Sequence, residues 1–247
     1  MAYRHDPDLE FLEKCNSEDL GDLVYCLTHD PKDNKLRYTE SLTDHNLYKQ
    51  YYPDHQKYWQ VIAEEIQRFG ANTLTTVLFR RGHGVLYKEI LIDVCKKFKV
   101  NFNPYSSTEK IESELLSKVV IDALEKMNSE EINAIAKEIG INTSDLTQKA
   151  TSTAILVAFK KGGFRSYIIL RRIINTLWKF LFGKGLPPVI NATIGKVVKK
   201  AIPILWIADG IWTVIEVSNP ATRVTIPAVL QIAVLRWQYN NPEQNIE

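Results

Sequence analysis

The chain has 247 residues, of which 45% are hydrophobic and 24% charged, and its formal net charge is +2. That length suits one large domain or two small ones with a real core, and the balance excludes a disordered chain and a polytopic membrane protein. Three cysteines, Cys15, Cys26 and Cys95, cannot build a disulfide scaffold and read as ordinary thiols of a reducing compartment.

The front half reads as helix after helix. Asp6-Pro7 suggests an N-cap with proline at the first helical position, and Leu9 and Leu12 then share a face. Ser17 is expected to cap the next helix, with Leu20, Leu23, Val24 and Leu27 at helical spacing. A polar turn follows over Thr28–Lys35, and a third helix is expected over about Thr39–Gln50. Pro53-Asp54 opens an amphipathic helix with Trp59, Ile62, Ala63, Ile66 and Phe69 inward, ended by Gly70. Asn72 can cap a short helix through Arg80, before a Gly82-His83-Gly84 turn. Tyr87, Ile90, Leu91, Val94, Cys95 and Phe98 form the stripe of a helix over Val85–Val100. Thr108 is expected to cap a helix to about Met127, and Asn128 with Glu131 forms a capping pair for one ended by Gly140.

The back half has another texture. Thr151–Phe159 and Phe164–Phe182 are apolar on most sides, interspersed with Lys and Arg, and separated by Gly162-Gly163. A basic segment, Asn191–Ile202, precedes an apolar one, Ile204–Val217. Thr225–Trp237 reads as a last apolar helix with Pro227 in its first turn. No stretch of the front half alternates convincingly as a strand. The expected fold is an all-α multi-helix bundle: an acidic amphipathic N-terminal helical domain, then basic, strongly apolar C-terminal helices.

The small net charge hides a split. Residues 1–150 carry 19 Lys/Arg against 25 Asp/Glu, whereas residues 151–247 carry 12 against 4. No acid falls between Asp145 and Asp209, a run of 63 residues holding 11 basic side chains. Such a split suggests two regions with different partners. The polar start carries no signal-peptide core, and no uncharged run is long enough for a standard transmembrane helix.

Catalytic signals are thin. The five histidines are scattered and no Cys or His pair has ligand spacing, so no metal and no cofactor is expected. No nucleophile–base motif is present, so no catalytic residue is assigned. Arg80, Arg81 and His83 sit beside a flexible turn ahead of a helix, where an anion can bind; a plain turn with solvated arginines is the simpler reading. Glu89 and Asp93 share a helix face, read as a solvated acidic face beside Lys96 and Lys97.

The basic apolar half carries more weight. Arg171, Arg172, Trp178 and Lys179, then Lys196, Lys199, Lys200, Trp206 and Trp212, combine cations with indoles. That chemistry suits an interfacial helix on anionic lipid or a partner contact. The competing reading packs these helices into a core, with basic rims toward the acidic front half. Few polar side chains are available to read bases, so nucleic acid is not expected.

Several stretches carry a resemblance. They are Asp8-Leu9-Glu10-Phe11-Leu12, Phe69-Gly70-Ala71-Asn72-Thr73, Arg81-Gly82-His83-Gly84-Val85-Leu86-Tyr87 leading into Leu91-Ile92-Asp93-Val94, and Arg223 to Ala233. Together they look like the bacterial YaaW family, in matching order over most of the chain. That family is uncharacterised and is grouped with the ubiquinol–cytochrome c chaperones, all-α assembly factors that are not enzymes. The resemblance implies a helical fold and a habit of binding partners near membranes, and it carries over no catalytic residue. It also implies a short N-terminal module over residues 1–35, ahead of a helical domain over 36–145. A basic apolar region over 146–238 and a tail over 239–247 complete the expected organisation.

The expectation is a non-enzymatic helical interaction protein, cytoplasmic and peripheral at the inner membrane. Its partner would be an anionic membrane surface or a protein, with homo-oligomerisation through the apolar helices left open. Two rivals stay open: a membrane-damaging effector of a bacterial conflict or phage-defence system, and an enzyme with an anion site at Arg80, Arg81 and His83.

Overall fold

The structure, a computed structural model, describes residues 3–30, 33–73, 85–182 and 221–241. Among the described residues are nine α-helices and no strand; an isolated bridge pairs His29 with Leu36. The helices are α1 (Ser17–Thr28), α2 (Asn46–Tyr51), α3 (Trp59–Thr73), α4 (Tyr87–Lys97), α5 (Thr108–Lys126), α6 (Ser129–Glu138), α7 (Gln148–Lys160), α8 (Phe164–Phe182) and α9 (Thr222–Asn240). The all-α expectation holds. Two compact units divide the chain: Met1–Leu115 with Thr213–Tyr239, and Leu116–Trp212 with Asn240–Glu247.

In the first unit, Leu9, Leu12, Leu20, Leu23 and Leu27 are fully buried, as their helical spacing requires. The opening segment differs from the expected helix. Successive i+3 bonds from Leu9, Leu12 and Cys15 wind it as 3-10 turns, and the Asp6 carboxylate accepts the Asp8 and Tyr87 N–H groups. Asn16, not Ser17, caps α1 by accepting the Asp19 N–H at 2.8 Å, which frees the Ser17 hydroxyl for Asp54. The expected third helix shrinks to α2. Ahead of it, Glu40 holds Thr43 and Glu65 holds the Ser41 N–H and hydroxyl, so side chains take the bonds a helix would have made.

Gly70 does not end α3, and Asn72 lies inside that helix; the short helix expected through Arg80 falls outside the described residues. A Cβ at Gly70 would stand 2.3 Å from Ile90 Cδ1, so the glycine serves the close approach of α3 to α4. The α4 stripe is buried as expected. Helix α9 begins three residues earlier than expected, which leaves Pro227 beyond its first turn. From Val224 to Arg236 every residue of α9 is buried, the state expected of a helix that is apolar all round.

In the second unit, Asn128 caps α6 with both bonds of the capping box, at 3.0 and 2.9 Å, as its spacing from Glu131 predicts. Gly140 stops α6 at φ 72°. Gly162 and Gly163, at φ 75° and 83°, turn the chain between α7 and α8. Ser107, rather than Thr108, supplies the side-chain acceptor at the start of α5.

Candidate functional site

The helical hairpin of α7 and α8 carries what is described of the acid-free run. Ser166 is fully buried and donates its hydroxyl to the Phe159 carbonyl at 2.6 Å, tying the start of α8 to the end of α7. Inward, Ile155, Tyr167, Ile169, Leu170, Ile173 and Ile174 are buried. Outward, Lys149, Thr153, Val157 and Lys160 recur on one face of α7 and are exposed, with Val157 at 48%. Lys161 and Arg165 flank the glycine turn and are exposed too.

Charge distinguishes this face from the acidic helices. Lys97 pairs with Asp93, Lys110 with Glu114 and Lys118 with Asp122, each one turn apart. Among the described residues Lys149, Lys160, Lys161 and Arg165 have no such carboxylate: the sequence places none within a turn of Lys160, Lys161 or Arg165, and Asp145, four residues before Lys149, precedes the start of α7. A cleft of about 480 Å³ adjoins the face, lined by Ile121, Leu124 and Glu125 of α5 and by Gln148, Lys149 and Leu156 of α7.

The two arginines expected at an outer contact are held within the second unit. Arg172 pairs with Glu138 of α6 at 2.5 Å, its side chain 10% exposed. Burial raises the Glu138 carboxyl while Arg172 opposes that shift. Arg171 donates to the Tyr167 hydroxyl at 3.2 Å. Trp178 and Lys179 belong to α8 by backbone, and their side chains lie outside the description. Arg80, Arg81, His83, Lys196, Lys199, Lys200, Trp206 and Trp212 lie outside the described residues.

A second polar constellation, in the first unit, escaped the sequence reading. Glu112 of α5 accepts the Tyr87 hydroxyl at 2.6 Å and the Arg236 Nε–H at 2.7 Å. Arg236 also donates to the Asp8 carbonyl and lies over the Phe11 ring, 4.2 Å from its centre. Burial pushes the Glu112 carboxyl up to about 7, although Arg236 and Tyr87 pull it down. Burial also pushes the thiols up, Cys15 and Cys95 to about 12 and Cys26 in the same direction, which favours their protonated form. An arginine set among apolar residues of a helix was the signal available for Arg236, since a charge so placed needs a partner.

The model of a domain of unknown function, DUF3944, matches residues 3–38. A UPF0174 protein of Helicobacter pylori strain J99 is 43% identical over 238 residues, covering 96% of this chain and 93% of that protein. A second UPF0174 protein of the same strain is 37% identical over 207 residues, covering 80% of this chain and 96% of its own length. The UPF0174 protein YaaW of Escherichia coli K12 is 34% identical over 243 residues, 96% of each chain. No solved structure matches.

Proposed function

The chain belongs to the UPF0174 family, and from that premise we propose that it is a non-enzymatic helical interaction protein whose α7–α8 hairpin docks on an anionic membrane surface. The observation that supports this is the outward set Lys149, Lys160, Lys161 and Arg165 around exposed Val157, with no carboxylate partner among the described residues. Near an anionic surface each such cation contributes about 1 kcal/mol. Four together give about 4 kcal/mol, about a thousandfold in partitioning. No helix of the described residues is long and apolar enough to cross a membrane, which fits a surface contact. The resemblance to ubiquinol–cytochrome c chaperones agrees with a partner near membranes and supplies no residue. The non-enzymatic part of the reading draws support from buried, raised thiols and from a Glu112–Arg236–Tyr87 cluster occupied by its own members.

Co-sedimentation with phosphatidylglycerol and phosphatidylcholine vesicles tests this reading, for wild type and for a variant carrying Lys149, Lys160, Lys161 and Arg165 all changed to Glu. Wild type is expected to bind the anionic vesicles, to release as salt rises, and to lose binding in the variant. Equal partitioning of the two proteins sinks the proposal. Binding that survives salt and empties dye-loaded vesicles would favour the membrane-damaging effector instead.

A further inference from the structure

The cleft between α5 and α7 has a charged end and an apolar body. Gln148, the first residue of α7, donates its Nε2–H to the Met127 carbonyl at 2.9 Å and accepts the Ser129 hydroxyl at 2.8 Å. That anchor holds the start of α7 beside the end of α5. Glu125 and Lys149, next to those ends, therefore lie at the same end of the cleft, and both are exposed. Ile121 lines it one turn back along α5, and Leu156 two turns on along α7, with buried Leu124 beneath. Gln148, Ser152 and Leu156 repeat every four residues and share one face, which runs for about 12 Å at about 1.5 Å per residue.

Neither charge at that end is met by the protein. Glu125 and Lys149 form no ion pair with each other or with another described residue, and Asp122, the neighbouring carboxylate of α5, is taken by Lys118. The Ser152 and Thr153 hydroxyls donate within their own helix, to the Gln148 and Lys149 carbonyls at 3.0 and 2.9 Å. The cleft thus offers one carboxylate, one ammonium and an apolar wall. Its volume of about 480 Å³ is that of a small-molecule site. A purely anionic head would meet Glu125 as a like charge, and a purely cationic head would meet Lys149 so. A head carrying both signs meets each with its opposite, and the apolar wall then needs a chain to cover it.

We propose that the α5–α7 cleft binds one alkyl chain of a zwitterionic phospholipid whose head carries a primary ammonium. The chain lies along Ile121, Leu124 and Leu156, the head phosphate meets Lys149, and the ammonium meets Glu125. A primary ammonium brings N–H donors to that carboxylate, which a quaternary one lacks. The site goes beyond the surface contact proposed above. That contact needs a negative surface and no particular lipid, whereas this one needs a chain and a head of both signs; Lys149 is the cation they share.

The test uses the full-length protein and calorimetry with lauroyl lysophosphatidylethanolamine, kept below its micelle concentration, against lauroyl lysophosphatidylglycerol. Wild type is expected to bind the first saturably, at least about tenfold more tightly than the second, which has no ammonium. Glu125→Lys, at an exposed position, is expected to reverse that preference, a change of selectivity that a loosened fold does not produce. Leu156→Ser is expected to weaken both by at least about tenfold; should it fail to fold, Glu125→Lys still decides. A triple variant, Lys160→Glu, Lys161→Glu and Arg165→Glu, leaves the cleft intact. It should bind lysophosphatidylethanolamine as wild type does while releasing anionic vesicles, so the two proposals fail separately. Sedimentation equilibrium without amphiphile checks the other occupant: self-association that Glu125→Lys abolishes would assign the cleft to a second copy and overturn the lipid. A wild type without saturable binding, or a preference unchanged in Glu125→Lys, also overturns it.

Discussion

Arg236 is a cation among the apolar residues of a buried helix, and its charge has to be met inside the protein. Glu112 meets it, with side chains 7% and 3% exposed, so removing either one strands the other. Arg236→Met should therefore destabilise the first unit by about 3–5 kcal/mol, read from urea unfolding. The Glu112 carboxyl also predicts a pH dependence. Its folded value of about 7 lies above the ordinary 4.5, so the native state keeps the proton longer than the unfolded chain. Its contribution is complete below about pH 4.5 and is lost as pH rises toward 7, by about 3 kcal/mol. Burial raises Asp6 and Glu138 in the same sense and lowers His55 in the opposite one. The readout is thus the difference between wild type and Glu112→Gln. Unfolding free energies from pH 4.5 to 8 should fall more steeply in wild type, and parallel curves would refute the assignment.

Helix packing explains Gly70. The bond from Cα toward Ile90 has no room, since Cδ1 and Cγ1 would be 2.3 and 2.5 Å from an added methyl. Gly70→Ala should lower stability by about 1–3 kcal/mol through overpacking, against the ~0.5–1 kcal/mol that alanine usually adds in a helix interior. Shortening Ile90 to Ala in the same protein should recover part of that loss, a coupling that a double-mutant cycle measures. If Gly70→Ala stabilises, α3 and α4 do not need the glycine for their approach. The contrast with Gly140 is instructive. Both glycines follow an apolar stripe, but only Gly140 has a positive φ and ends its helix.

Division of the chain into two compact units implies that damage stays local. In Arg236→Met, hydrogen exchange should speed up in α1, α4 and α9 of the first unit, while α6, α7 and α8 keep their protection. Uniform loss across all six helices would mean one cooperative unit. The grouping of α9 with the N-terminal helices also shows where the sequence stops being informative. Helix type, the α1 and α4 stripes, the Asn128–Glu131 cap and the turn at Gly162-Gly163 were legible because each is settled within a few residues by periodicity, side-chain acceptors or backbone freedom. The outward basic face of α7 was legible only as a composition of the whole back half, since nothing local separates Arg165, which faces water, from Arg172, which finds Glu138. The meeting of Glu112 with Arg236 and of Gly70 with Ile90 depends on which distant helices touch. Those contacts follow from burying the apolar faces together, a many-body balance that no short stretch of sequence records.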